Sequence, residues 1–97
     1  MPSGKGVGAM WYVYMLRCGD GSLYTGWTND LAARLAAHQA GRGGKYTRSH
    51  LPVELAYYEI LPSRHEAMSR ERQIKGLSRE EKLALISEKE KQNHETN

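Results

Sequence analysis

The stretch that most restricts the fold runs over residues 11–38, W-Y-V-Y-M-L-R-C-G-D-G-S-L-Y-T-G-W-T-N-D-L-A-A-R-L-A-A-H. Aromatic and β-branched residues crowd residues 11–17 and 22–28, which read as two strands. Gly19-Asp20-Gly21 between them is a turn signal. The length of that turn decides which side chains share a face, because a slip of one residue turns every side chain over. A two-residue loop at Asp20-Gly21 pairs Tyr14 with Trp27 and sends Tyr14 and Tyr24 to opposite faces. A three-residue loop pairs Tyr14 with Gly26 and Leu16 with Tyr24, all on one face. Three-residue loops with glycine in the left-handed position are a common hairpin solution, so the second register is expected. It gathers Trp11, Val13, Met15, Leu23 and Trp27 as the core face and leaves Tyr12, Tyr14, Tyr24 and Gly26 on the other. A glycine inside a strand often marks the close approach of a ligand or backbone, and Gly26 would clear space beside Tyr14.

After the hairpin, Asn29 or Asp30 can cap a helix that runs to about Ala40 and is stopped by Gly41. Leu31, Arg34, Leu35 and His38 fall on one stripe of it. Two of the four are a long cation and an imidazole, which point toward whatever the helix packs against. Residues 41–52, G-R-G-G-K-Y-T-R-S-H-L-P, read as a flexible basic loop carrying Tyr46. Residues 54–61 form a third strand. Ser63 with Glu66 and Ser78 with Glu81 each fit a capping box. They open helices that end near Lys75, before Gly76, and near Ser87, with Leu83 and Ile86 facing in. Residues 1–10 read as a flexible glycine-rich leader, 11–87 as the folded domain and 88–97 as a frayed polar tail.

A chain of 97 residues has room for one core. Its aromatic share is six Tyr and two Trp without Phe, and each of those rings carries a polar tip that wants a partner or water, which hints at a wet functional face. The formal net charge is +3, and its distribution matters more than its size. Residues 31–53 hold Arg34, Arg42, Lys45 and Arg48 and no acid, whereas residues 78–97 are nearly balanced. The basic charge therefore sits mid-chain, where a phosphate backbone can meet it. Cys18 is the single cysteine, which excludes an internal disulfide and a thiolate zinc cage and suits a reducing, cytoplasmic compartment. No apolar run approaches the roughly 20 residues of a spanning helix, so no membrane partner is expected. Residues 1–9 lack the apolar segment of a signal peptide.

Glu71 falls on the apolar stripe of its helix, four residues after Ala67 and three before Ile74. A carboxylate there needs a cation, whether Arg34, Lys75 or a metal. Helix physics alone favours Lys75, because i, i+4 pairs are frequent.

Taken together, Tyr12-Val13-Tyr14, Tyr24-Thr25-Gly26, Arg34, His38 and Glu71 resemble the GIY-YIG nuclease domain over roughly residues 11–87, and most resemble small bacterial proteins made of this module alone. Tyr12 stands where the family has glycine, and Val13 and Thr25 where it has isoleucine. The resemblance implies an α+β fold, a three-stranded antiparallel sheet flanked by helices, here in the order β-β-α-β-α-α. It also implies metal-dependent hydrolysis of phosphodiester bonds in DNA with low sequence specificity, with selectivity for DNA structure in repair or recombination as a possible refinement; RNA is not excluded. By the same resemblance Glu71 would hold Mg²⁺ or Mn²⁺, with most of the hydration shell kept. Arg34 would fork onto the scissile phosphate. Tyr14 would position water or act as general base, which requires nearby cations to lower its pKa. Tyr24 and His38 would hydrogen-bond within the site, and His38 could take the base role instead. Arg42, Lys45, Tyr46, Arg48 and Lys75 would contact nucleic acid, while Gly26 and Asn29 serve structure. Singly, each side chain has an ordinary packing or surface role, and it is their joint occurrence that favours a nuclease. The rival readings are a non-catalytic nucleic-acid-binding module with a degenerate site and a structural interaction domain.

Overall fold

The structure, a computed structural model, describes residues 10–95; the leader over residues 1–9 and the last two residues of the tail lie outside the described residues. Strands β1 (Trp11–Arg17), β2 (Leu23–Thr28) and β3 (Glu54–Leu61) form one antiparallel sheet in the order β2-β1-β3. The helices are α1 (Leu31–Gln39), α2 (Lys45–Ser49), α3 (Arg64–Lys75) and α4 (Arg79–Glu95). The expected α+β architecture is present, with α2 added where residues 41–52 read as a plain loop. That single turn starts at Gly44 without a side-chain cap and follows no apolar period, so no local signal announces it. It forms around the fully buried Thr47.

The hairpin adopts the odd register, with Tyr14 opposite Gly26 and Leu16 opposite Tyr24. The Cys18 amide donates to the Ser22 carbonyl and the Gly21 amide to the Cys18 carbonyl, both at 2.9 Å, which closes a three-residue loop. Gly21 takes the left-handed conformation that this loop requires, at φ +87°.

Helices cover both faces of the sheet. Val13 and Met15 pack with Tyr57 of β3, Ile74 of α3 and Ile86 of α4. On the other face Tyr14 and Leu16 pack with Cys18 and Val53, under Leu31 and Leu35 of α1. The tyrosine face is therefore not the wet surface its composition suggested, because the apolar stripe of α1 closes over it. Trp11 and Trp27, expected in the core, are only half-buried and pack with their rings tilted at 46°, 5.9 Å apart, with the Arg64 guanidinium over Trp27 at 5.4 Å.

Asp30, not Asn29, caps α1: its Oδ1 accepts from the Ala33 amide at 3.1 Å, while Asn29 is exposed. The helix ends in a Schellman arrangement, with the Arg42 amide on the Ala37 carbonyl, the Gly41 amide on the His38 carbonyl, and Gly41 at φ +81°. Ser78 and Glu81 form the reciprocal capping box, while at the other start the Ser63 hydroxyl accepts from the Glu66 amide and donates to the Glu66 carboxylate at 3.4 Å, without the return bond from the Ser63 amide. The last helix does not fray near Ser87 but runs to Glu95. The added turns contain neither glycine nor proline and are rich in strong helix formers. Lys89 also ties them to the sheet, donating to the Tyr58 carbonyl at 2.8 Å and lying 4.7 Å from the Tyr58 ring centre.

A polar staple joins β3 to α3. Arg70 donates from Nε and Nη2 to the two carboxylate oxygens of Glu59, each at 2.9 Å, and the Tyr57 hydroxyl donates to the same carboxylate. Burial first, and then the Glu59 carboxylate, push the Tyr57 phenol up to about 12. The folded chain thus keeps a proton that an unfolded tyrosine releases near pH ~10. A folded pKa above the unfolded one gives stability that is complete below pH ~10 and lost as pH rises toward 12. Urea unfolding across this interval should show wild type losing more stability than Tyr57→Phe; equal pH dependence would remove Tyr57 from the account.

Candidate active site

The site is assembled from β1, β2, α1 and the segment after α1. Its centre is the Tyr14 hydroxyl, 3.0 Å from His38 Nε2. Tyr14 is 2% exposed and His38 has no exposed surface, so the bond is shielded from bulk water. On the other side of the imidazole, Nδ1 lies 2.8 Å from Thr47 Oγ1. The ring of Tyr24 packs at 5.4 Å from His38, as the shared face of Tyr14 and Tyr24 demands. Arg34, one turn before His38 on α1, is anchored by donation from Nη2 to the Gly43 carbonyl at 3.0 Å. Its positive charge acts on the Tyr14 phenol.

Two glycines make this packing possible by having no side chain. A Cβ on Gly26 would lie 2.5 Å from the Tyr14 oxygen, and one on Gly43 would lie 2.2 Å from His38 Nδ1. Gly26 was legible as a cleared position; Gly43 was not, because it sits in a glycine-rich run that reads as flexible.

Burial sets the charge states. It raises the Tyr14 phenol above its ordinary value; hydrogen bonding and charge from Arg34 lower it, Tyr24 and Glu71 raise it, and burial prevails. The expectation that nearby cations would bring Tyr14 down is thus reversed by desolvation. Burial, followed by the Arg34 charge, holds His38 below the usual imidazole range. The pair at neutral pH is a protonated phenol beside a neutral imidazole.

Glu71 of α3 influences Tyr14 through its charge and is bound at 3.1 Å by Lys75, the i, i+4 partner that helix physics favoured. Its side chain is 19% exposed. Lys75 and Tyr24 also line a cleft of about 390 Å³ at the β2 edge, with Thr25, Tyr46 and Lys82. Tyr46 stacks on His50 at 4.1 Å, lies nearly parallel to Tyr24 at 6.1 Å, and donates to Ser22 Oγ at 2.6 Å. Arg42, Lys45 and Arg48 are exposed around α2. Asn29 stands apart, beside Tyr12 in a second cleft of about 510 Å³ between the start of α1 and β3.

The sequence model described as the GIY-YIG catalytic domain matches residues 10–84. The chain belongs to the GIY-YIG family. It is similar to a UPF0213 protein of Streptococcus sanguinis strain SK36, 58% identical over 78 residues that span 80% of this chain and 90% of that protein. It also resembles the solution NMR structure of the UPF0213 protein BH0048 from Bacillus halodurans, with 46% identity, TM-score 0.53, and coverage of 80% of this chain and 83% of that one. The solution structure of EF2693 from E. faecalis matches with TM-score 0.54 at 36% identity, over 80% and 84% of the two chains. GIY-YIG domains are generally nucleases, and the UPF0213 names specify no activity.

Among the described residues no cluster of three or more His, Cys, Asp or Glu is placed to cage a metal. A divalent ion at a GIY-YIG site of this chain would be held by the Glu71 carboxylate. That oxygen donor, partly buried yet still exposed, fits a cation such as Mg²⁺ that keeps most of its waters.

Either glycine-to-alanine change should force a ring out of place. Gly26→Ala and Gly43→Ala are expected to destabilise the fold by about 1–3 kcal/mol, the usual range for overpacking. Thermal unfolding checks this, and a melting temperature unchanged in both would show that neither contact is tight.

Proposed function

We propose that the chain is a metal-dependent endonuclease that hydrolyses phosphodiester bonds in DNA with low sequence specificity. One observation carries the reading: the Tyr14 hydroxyl is hydrogen-bonded to a buried His38, the Tyr24 ring lies against the same imidazole, and Arg34 stands one turn away on α1. A packing role alone leaves a buried neutral imidazole between two hydroxyls unexplained. In this reading Arg34, exposed but fixed by Gly43, takes a phosphate oxygen. Tyr14 is protonated, so it can accept a proton from water only by passing its own to His38 Nε2, the acceptor 3.0 Å away. His38 is fully buried and acts through Tyr14, which joins the two candidates for the base into one path. As the water oxygen bonds to phosphorus, the bond from phosphorus to the leaving oxygen breaks. A cation held by Glu71 would supply charge neutralisation at the phosphoryl group and the leaving oxygen. Lys75, Lys82, Arg42, Lys45 and Arg48 give a basic surround suited to a sequence-tolerant backbone contact. A role in DNA repair or recombination would follow from selectivity for branches, flaps or single strands.

The Glu71–Lys75 ion pair favours a second reading, a nucleic-acid-binding module whose carboxylate is already satisfied. Labelled duplex, flap, junction and single-stranded DNAs, and matching RNAs, incubated with Mg²⁺ or Mn²⁺ separate the two. The nuclease reading expects cleavage that Glu71→Ala abolishes while binding is retained. Arg34→Lys should slow it by about a hundredfold or more, since lysine cannot copy the fork. Binding without cleavage in wild type would support the module; cleavage that survives Glu71→Ala would remove Glu71 from the mechanism.

A further inference from the structure

We propose that Thr47 is a positioning residue that fixes the tautomer of His38, holding the proton on Nδ1 so that Nε2 faces Tyr14 as an acceptor. This rests on reading Tyr14 and His38 as the proton path, and it extends that path to a side chain that no sequence signal indicated.

Two separate hydrogen-bond counts lead to the same tautomer. The first starts at Thr47. Its hydroxyl has one proton and two lone pairs. The proton has an acceptor in the Gly44 carbonyl, one turn back at 3.4 Å. A lone pair is then left toward His38 Nδ1, 2.8 Å away, and a lone pair needs an N–H. The second starts at Tyr14. Its hydroxyl has one proton to give, and the group within hydrogen-bond distance of it is His38 Nε2. The phenol proton must therefore go to His38 Nε2, which has to be bare. The opposite tautomer would place an Nε2–H against Tyr14 and take away the acceptor that faces the phenol proton.

The surroundings keep this arrangement from relaxing. Thr47 and His38 have no exposed surface, so water cannot take the place of either partner. Gly43 lets the loop press on the imidazole edge near Nδ1, and Gly43 in turn anchors Arg34 through its carbonyl. The short helix α2 carries Thr47 to the ring, which gives that single turn a purpose beyond connecting α1 to β3. A buried imidazole N–H left without an acceptor is costly, and from this cost comes the leverage of Thr47 over the tautomer.

Long-range ¹H–¹⁵N correlation spectra of the ¹⁵N-labelled protein, at neutral to mildly alkaline pH, distinguish the two tautomers of His38 without any substrate. Wild type and Thr47→Ser should show Nδ1–H, and Thr47→Val, equal in shape but without the hydroxyl, should show a new Nε2–H population. On a DNA that wild type cuts, Thr47→Val should lower kcat at least about tenfold with KM unchanged, inside the range that general base catalysis contributes, and Thr47→Ser should restore it. An Nε2–H tautomer in wild type, or a Thr47→Val protein that keeps pure Nδ1–H, would overturn the assignment. The spectra stand apart from the cleavage assay: if wild type cuts nothing, the nuclease reading fails while the spectra still decide the role of Thr47.

Discussion

The site depends on the pairing of Tyr14 with Gly26 across the first hairpin. A side chain at position 26 would collide with the phenol oxygen. With glycine there, the ring lies over the neighbouring strand and its hydroxyl meets the imidazole that α1 brings down. The register follows from a three-residue turn at Gly19-Asp20-Gly21. A turn one residue shorter would send Tyr24 and Gly26 to the opposite face and dismantle the site without altering the composition of either strand.

Around that contact, burial and charge are divided between elements. The tyrosine and histidine are desolvated, so both remain neutral. The groups able to meet a polyanion stay at the surface: Arg34 on α1, the basic side chains around α2, and Lys75 and Lys82 beside the β2 edge. Glu71 lies between these regimes, mostly covered and neutralised by Lys75, while its charge still reaches Tyr14. The opposite face of the sheet is devoted to stability, through Val13, Met15, Ile74 and Ile86 and the Arg70–Glu59–Tyr57 staple. Helix α3 serves both roles, with Ile74 in that core and Glu71 turned toward the site.

Much of this was legible in residue order. Strand alternation and the glycine-flanked turn specified the register, and paired Ser and Glu specified the starts of α3 and α4, because these signals are local. What was not legible depends on tertiary contact. Asn29 and Asp30 are equivalent as caps on composition, and only the backbone path selects Asp30. The tyrosine face reads as wet until α1 is laid over it. Helix α2 is too short for periodicity to register, so Thr47 and Gly43 passed as loop residues although both touch the same imidazole. The extension of α4 combines strong helix formers with a contact distant in sequence, Lys89 on a β3 carbonyl. Family resemblance named Tyr14, Tyr24, Arg34, His38 and Glu71 together, but it was desolvation in this fold that left the tyrosine and histidine neutral.

The central claim is that these side chains surround one phosphate. A crystal structure of the protein with Mn²⁺ and a short DNA carrying a non-hydrolysable linkage tests it most directly. The account predicts the blocked phosphate on Arg34 beside Tyr14, with the metal on the Glu71 carboxylate and Lys75 displaced from it. A phosphate backbone bound elsewhere, with the Glu71–Lys75 pair intact and no metal there, would contradict it.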